Sequence, residues 1–181
     1  MNALKEKSII TEKDYFALEE GAPYQLIGGE LIMSPAPNVY HQVILQNLNF
    51  ILRTFVKKNK LGTVLFAPVD VRFSETEVYQ PDLLYVSKER EGIIKEGMID
   101  GGPDLVVEIL SPSNGYYDLV HKKNIYLQDG SGVQEYWIID PLEQTFQVLG
   151  REKVIEENGQ GVITSKLFNG LKISLAEVFE K

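Results

Sequence analysis

The sequence predicts a mixed α/β fold in which helices pack against a mixed β-sheet. Two patterns support this class: apolar residues recur at helical spacing in one long segment, and short β-rich runs alternate with helical segments. The chain has 181 residues, of which 44% are hydrophobic, so it can bury a sizeable core. We therefore expect a single domain over residues 1–181.

The N-terminal third predicts a short helix, a hairpin and a long helix. Thr11 is an N-cap followed by acidic residues, which favour the first turn of a helix. Gly28 and Gly29 separate two strand-like runs, as in a two-residue hairpin turn. Asn38 caps a segment whose apolar residues recur three or four positions apart, so one helix face is buried. The predicted spans are a helix over 11–19, strands over 24–27 and 30–34, and a helix over 38–60.

The rest of the chain predicts strands interrupted by two helical segments. The run 105–110 is apolar apart from Glu108, which is typical of a central strand buried on both faces. Turns are expected over the acidic residues 75–77, over 111–115, and at Asp140-Pro141 within a hairpin. Two weaker strands and a helix over 175–179 complete the chain as a C-terminal β extension. The predicted strands cover 64–67, 69–73, 83–87, 105–110, 134–140 and 145–150, and the helical segments cover 88–99 and 116–129.

Composition excludes several classes of protein and site. The absence of cysteine excludes disulfides, thiolate zinc sites and cysteine nucleophiles. The only histidines, His41 and His121, lie far apart in the sequence, which argues against a histidine-rich metal site. No apolar run approaches the ~20 residues of a membrane span, and the N-terminal segment lacks the apolar region of a signal peptide. We therefore expect a cytoplasmic protein with no membrane segment.

The charge balance is acidic, with 18 basic and 26 acidic residues and a formal net charge of −8. This balance argues against a protein that coats nucleic acid, because such proteins normally carry a basic surface. It is compatible with an enzyme that uses a divalent metal, since metal-binding carboxylates add negative charge until the ion binds.

Two carboxylates stand at informative positions in the predicted strands. Asp82 follows Pro81 at the start of a strand, where proline is tolerated because it has no N–H to donate to the ladder. Glu108 lies inside an apolar strand, where a charge is costly unless it is paired or binds a metal. An ion pair with Lys122 or Lys123 is the structural explanation for Glu108. Two carboxylates on neighbouring strand ends favour the other explanation, a Mg²⁺ site.

Several segments of the chain form a recognisable series. They are Tyr-Gln-Leu-Ile-Gly-Gly-Glu-Leu over 24–31, Met-Ser-Pro over 33–35, His41, Pro81-Asp82, Val-Glu-Ile-Leu-Ser-Pro-Ser over 107–113, the spacing Asp118, Lys122, Tyr126, and Gly-Val-Gln-Glu-Tyr-Trp-Ile-Ile-Asp-Pro over 132–141. In this order they resemble the Uma2 family, also called DUF820, whose members are similar to restriction endonucleases of the PD-(D/E)xK fold. The resemblance covers roughly residues 11–150. It implies a restriction-endonuclease-like mixed β-sheet flanked by helices, with an N-terminal helix and hairpin.

The resemblance also implies roles for individual residues. Asp82 matches the aspartate of the PD element, and Glu108 matches the acid of (D/E)xK. Both would bind the metal, together with the backbone carbonyl of Ile109. Glu30 matches an acid in the hairpin before the long helix and would extend the metal site. His41 lies at the start of that helix, where its simplest interpretation is a helix cap. The alternative is that it lies beside these carboxylates and contacts phosphate or water.

The lysine of the nuclease motif is replaced here by Leu110. The Uma2 pattern tends to be apolar at this place and to take a lysine from the following helix, where Lys122 stands. Lys122 shares a helix face with Asp118 and Tyr126, which lie four positions away on either side. The structural alternative is a surface pair of Asp118 with Lys122, with Tyr126 at the edge of the core. Lys123 lies about 100° round the helix and is expected to be solvated.

These features predict a Mg²⁺- or Mn²⁺-dependent nuclease in which Asp82, Glu108 and Lys122 are the catalytic residues. The resemblance alone makes DNA the expected substrate and a homodimer the expected assembly. One alternative is a catalytically inactive relative that keeps the fold and binds nucleic acid or protein, which Leu110 and the net charge of −8 favour. A second alternative is an interaction domain in which Glu108 forms only an ion pair.

Overall fold

Helices and strands alternate along the chain, as the sequence predicts. The computed structural model describes residues 8–111, 117–150, 154–158 and 161–181. The helices are α1 (Glu12–Tyr15), α2 (Val39–Asn59), a 3₁₀ helix (Lys88–Ile93), a π-helix (Tyr117–Lys122), α3 (Lys123–Leu127) and α4 (Leu175–Val178). The strands are β1 (Tyr24–Ile27), β2 (Glu30–Met33), β3 (Gly62–Phe66), β4 (Val71–Ser74), β5 (Glu77–Tyr79), β6 (Leu83–Ser87), β7 (Ile99–Asp100), β8 (Leu105–Ile109), β9 (Glu135–Asp140), β10 (Thr145–Gly150), β11 (Val154–Asn158), β12 (Val162–Thr164) and β13 (Lys172–Ser174).

The mixed α/β class is confirmed, but the described strands divide between two main sheets. The six-stranded sheet has the order β11-β10-β9-β8-β6-β3, in which only β8 and β9 run parallel. The five-stranded sheet has the order β2-β1-β5-β4-β7, in which only β4 and β7 run parallel. The division was not predicted because β7 is two residues long and β5 three, too short for an alternating pattern. Strands β12 and β13 pair with each other at the C-terminal end.

Strand β8 is central, as predicted, and it positions the candidate site. It lies between β6 and β9, and all five of its residues are buried. One face of the six-stranded sheet packs against α2 and the C-terminal segment, and the other packs against α3 and the β1–β2 hairpin. Alternate residues of β8 therefore belong to two different apolar clusters, with Val107 in the first and Val106 in the second.

Helix α2 and the β9–β10 hairpin form where the sequence predicts them. The Asn38 side chain accepts a hydrogen bond from the His41 N–H and caps α2. The helix ends at Asn59, and Lys60, which has a left-handed backbone (φ +55°), is its C-cap. None of the helices in the described ranges is long and apolar enough to cross a membrane.

Four other predictions needed correction. The helical segment expected over 88–99 is a 3₁₀ helix that ends at Ile93, and Ile99 begins β7. Helix α1 ends at Tyr15, not at residue 19, because the Leu18 N–H bonds to the Tyr15 carbonyl in a tighter turn. The acidic turn expected over 75–77 stops one residue earlier, since Glu77 begins β5. The helix expected over 116–129 is a π-helix followed by α3, which ends at Leu127. Residues 112–116 of the predicted turn and helix start lie outside the described residues.

Candidate active site

Asp82 and Glu108 lie opposite each other on adjacent, antiparallel strands. Leu83 of β6 pairs with Val107 of β8, so Asp82 stands one position beyond this pair, in line with Glu108. Both carboxylates line a cavity of about 650 Å³. The structure therefore brings together the two acids that the sequence placed on neighbouring strand ends.

Asp82 is held from two sides while part of it stays exposed to the cavity. Its Oδ2 accepts a hydrogen bond from the Ile109 N–H at 2.7 Å. The same oxygen lies 3.3 Å from His41 Nε2 at the start of α2. The His41 side chain is 5% exposed and the Asp82 side chain 19% exposed. His41 thus contacts a carboxylate of the site, and its buried ring orients Asp82.

Glu108 is a buried carboxylate with two donors on one oxygen. Its Oε1 accepts hydrogen bonds from Lys122 Nζ at 3.0 Å and from the Tyr126 hydroxyl at 2.7 Å. The side chains of Glu108 and Lys122 are only 4% and 2% exposed. The ion pair with Lys122 that was the structural explanation for Glu108 is therefore present. Lys122 itself is buried, so it is not the surface partner of Asp118 in the other structural alternative. The side chain of Asp118, its partner in that alternative, lies outside the described residues.

Lys122 reaches Glu108 from the end of the π-helix. Its Nζ also lies 5.7 Å from the centroid of the Tyr79 ring, within the range of a cation–π contact. Burial, followed by a hydrogen bond to Glu77, raises the pKa of Tyr79 far above its ordinary value. Tyr79 is therefore a neutral phenol beneath the ammonium group. The neighbouring Lys123 is partly exposed and lines no part of the cavity.

Tyr126 contacts the site directly, which its predicted place at the edge of the core did not indicate. It is fully buried among aromatic side chains, and its hydroxyl fixes the Glu108 carboxylate. A sequence signal existed, because Tyr126 lies one turn beyond Lys122 on the same helix face. Because Tyr126 and Lys122 project from the same helix face, the tyrosine hydroxyl and the lysine ammonium group reach the same carboxylate, Glu108.

The far wall of the cavity is lined by polar, uncharged side chains that the sequence patterns did not predict to lie there. Gln25 Oε1 accepts from the Gln80 N–H at 3.0 Å, and Gln25 Nε2 donates to Ser34 Oγ at 3.1 Å. These residues meet where the hairpin crosses β5, a tertiary contact without a local sequence pattern. Among the described residues that line the cavity, Lys122 and His41 are the basic ones, set against two carboxylates.

The donor set of the cavity fits a hard cation. Two carboxylates and the backbone of Ile109 line it, and Mg²⁺ takes oxygen ligands, usually one or two carboxylates with water and substrate phosphate. Within the described ranges, no three His, Asp or Glu side chains are grouped to hold a metal. Glu30, which the resemblance adds to this set, is exposed and is not among the described residues that line the cavity. It lies two pairs along the hairpin from the Gln25–Ile32 pair, a distance of roughly 7 Å.

Comparisons with known proteins identify the family. A family model described as "Uma2: Putative restriction endonuclease" matches residues 12–176. The chain belongs to the Uma2 family. A crystal structure from Anabaena variabilis, titled as a putative nuclease belonging to DUF820, is similar to the chain with a TM-score of 0.79 and 25% identity. The similarity covers 94% of this chain and 97% of that chain. No curated protein matches.

Membership of Uma2 confirms the family expected from the series of segments, and the similar structure confirms the restriction-endonuclease-like fold. The Uma2 match runs beyond residue 150, where the resemblance of the segments ended, and includes most of the C-terminal β extension. The chain is therefore nuclease-like in family and fold. Its cavity brings together two carboxylates, Asp82 and Glu108, and the buried Lys122.

Proposed function

We propose that this Uma2 protein is a nuclease that hydrolyses phosphodiester bonds in DNA and uses Mg²⁺ or Mn²⁺. The observation that carries the proposal is the pair of opposed acids, Asp82 and Glu108, sharing one cavity with the buried Lys122. The family description and the similar DUF820 structure support nuclease chemistry. We also propose that the protein acts in the cytoplasm as a homodimer, since many enzymes of this fold dimerise to cut both strands of a duplex.

The residues of the cavity divide the work of hydrolysis. Asp82, Glu108 and the carbonyl of Ile109 would hold the ion, which supplies Lewis-acid activation of water and neutralises charge on the phosphate. His41 and the Ile109 N–H fix the orientation of Asp82. Lys122 places a positive charge next to Glu108, where it would stabilise negative charge that develops on the phosphate.

The charge of the cavity determines how DNA would approach. Lys122, the lysine of the cavity, is already paired with Glu108. The glutamine and serine side chains of the cavity wall carry no charge. A phosphate backbone therefore meets two carboxylates with one lysine to offset them. We infer that the divalent ion is needed for tight binding of DNA as well as for hydrolysis.

A second candidate function is a catalytically inactive module that binds nucleic acid or protein. Two observations favour it. Glu108 Oε1 already accepts hydrogen bonds from Lys122 and Tyr126, so an ion must compete with an ammonium group. In addition, Leu110 occupies the strand position that carries lysine in the general nuclease motif.

Metal-dependent thermal stability, measured together with plasmid cleavage, distinguishes these functions. At a concentration 100 times its Kd, Mn²⁺ should stabilise the fold by about 2.7 kcal/mol. This stabilisation corresponds to a rise in Tm of roughly 5–11 °C for a chain of this size. Asp82→Asn and Glu108→Gln should each abolish the rise, measured against the variant's own metal-free Tm. Glu143→Gln, which changes an exposed acid outside the cavity, should retain it.

The outcomes separate the proposals. A rise in Tm with metal-dependent cleavage, both lost in the Asp82 and Glu108 variants, supports the nuclease. A rise without cleavage of DNA or RNA favours the binding module. If neither Mg²⁺ nor Mn²⁺ changes the Tm of the unmodified chain, the metal site is refuted and Glu108 forms only an ion pair.

A further inference from the structure

Glu77 is a buried carboxylate outside the candidate active site. It begins β5 and is 7% exposed. Three groups from separate parts of the chain contact it. Its Oε2 accepts hydrogen bonds from the Gly28 N–H at 2.9 Å and from the Tyr79 hydroxyl, and its Oε1 lies 3.1 Å from His121 Nε2. The β1–β2 turn, β5 and the π-helix therefore meet at one carboxylate.

Two of these contacts lead to Lys122. His121 immediately precedes Lys122 in the π-helix, so Glu77 anchors the backbone from which the lysine projects. Tyr79 is fully buried, and its ring lies beneath the lysine ammonium. Because Glu77 fixes the Tyr79 hydroxyl, it also fixes the surface on which that ammonium rests.

The contact with Gly28 shows how the β1–β2 turn takes part. Gly28 has a left-handed backbone (φ +59°), and a Cβ added there would lie 3.5 Å from His121 Cε1. A carboxylate that served only to hold this turn would need only the hydrogen bond from the Gly28 N–H. Glu77 also contacts His121, which belongs to another element. The consecutive residues His121 and Lys122 reach two different carboxylates, Glu77 and Glu108. The segment that makes this possible is a π-helix, a rare form found frequently at functional sites.

We propose that Glu77 is a positioning residue for Lys122 and acts through His121 and Tyr79. The proposal rests on the proposed function, in which Lys122 stabilises charge in the cavity. In Glu77→Gln one of the two acceptor oxygens becomes an amide nitrogen, so the side chain can no longer accept from His121 and from the Tyr79 hydroxyl on separate oxygens. The Lys122 ammonium is then no longer held against Glu108.

Lysine acylation tests this placement without requiring catalysis. Lys122 is 2% exposed, so an N-hydroxysuccinimide ester should modify it slowly in the unmodified chain, as measured by mass spectrometry. In Glu77→Gln its acylation should be about tenfold faster or more, because local opening of the π-helix exposes it. Glu75→Gln removes an exposed carboxylate from the turn just before β5 and should leave the rate unchanged. Equal protection of Lys122 in Glu77→Gln and in the unmodified chain overturns the proposal.

Variants of His121 give a second test at a partly exposed position, should Glu77→Gln fail to fold. The His121 side chain is 38% exposed, so its replacement disturbs the core little. His121→Leu removes one contact with Glu77 and should speed acylation of Lys122. His121→Gln offers an amide donor in place of Nε2 and should restore protection. If Lys122 is equally protected in both variants, His121 does not anchor it and the proposal is wrong.

Cleavage measured in two backgrounds tests whether Glu77 acts through Lys122. Glu77→Gln should lower the single-turnover rate about tenfold in the unmodified background and should have no further effect in Lys122→Met. An equal loss in both backgrounds indicates a general structural effect and overturns the proposal. If the unmodified chain cleaves neither DNA nor RNA, the proposed nuclease function fails, and the acylation result still decides whether Glu77 positions Lys122.

Discussion

Glu108→Gln is expected to destabilise the folded chain by about 3–5 kcal/mol. The Glu108 and Lys122 side chains are 4% and 2% exposed, and Oε1 lies 3.0 Å from Nζ. The substitution leaves a buried ammonium group without its charged partner. The Tyr79 ring, 5.7 Å from the ammonium, does not replace that partner, since a cation–π contact contributes only about 0.5–2 kcal/mol. For a chain of this size a loss of about 3–5 kcal/mol lowers the Tm by roughly 6–20 °C.

Urea denaturation followed by tryptophan fluorescence measures this loss directly. Trp137 is the only tryptophan of the sequence, and it is fully buried in the core, so its emission reports global unfolding. The double variant Glu108→Leu with Lys122→Met replaces the pair by apolar groups and should recover most of the loss. Glu143→Gln at the surface is the control. If the free energy of unfolding of Glu108→Gln is within about 1 kcal/mol of that of the unmodified chain, the two charges are not buried together and the prediction is wrong.

Three further predictions address the neighbours of this pair and the substrate. Lys122→Met should lower single-turnover cleavage of plasmid DNA about 10²-fold while Lys123→Met stays near the unmodified rate; the reverse result would place the lysine one residue away. Tyr126→Phe should destabilise the fold by about 1.5–3 kcal/mol in urea, because a buried charged acceptor loses a donor, and an unchanged midpoint would contradict the contact with Glu108. Binding of duplex DNA, measured by fluorescence anisotropy, should be weak without divalent ions and tighten with Ca²⁺. Tight binding in a chelator would show that the ion does not supply the missing positive charge.

Much of the fold follows from local sequence patterns. The predicted spans of β6 and β10 match the structure, and α2 differs from its predicted span by one residue at each end. These elements have strong periodicity, or continuous apolar runs bounded by turn residues. Strand β5 was not predicted because its first residue, Glu77, is a carboxylate after an acidic turn. It is buried because Gly28 of the β1–β2 turn and His121 of the π-helix reach it from distant parts of the chain, beside Tyr79 of its own strand, and no local pattern reveals the two distant contacts.

The sequence predicted the positions of some candidate site residues and not of others. Asp82 and Glu108 could be paired in advance because a charge in a buried strand needs a partner or an ion. The resemblance gives Glu30 a role but not a position, and the register of the hairpin sets it two pairs from Gln25, outside the described residues that line the cavity. His41 was expected at the helix start, and its contact with Asp82 depends on how α2 packs against β6.

The location of the lysine explains why the network around Glu77 matters. A lysine at position 110 would be held by the same strand that carries Glu108, so the ladder alone would fix its backbone. Lys122 instead projects from a π-helix that follows residues 112–116, and it must approach Glu108 from another element. Its position therefore depends on whatever fixes that element to the sheet. The contact between Glu77 and His121 does this one residue before the lysine, and the Tyr79 ring supports the ammonium itself. Under the proposed function, a catalytic lysine on the helix needs an anchor that a lysine on the strand would not, and Glu77 fits that requirement.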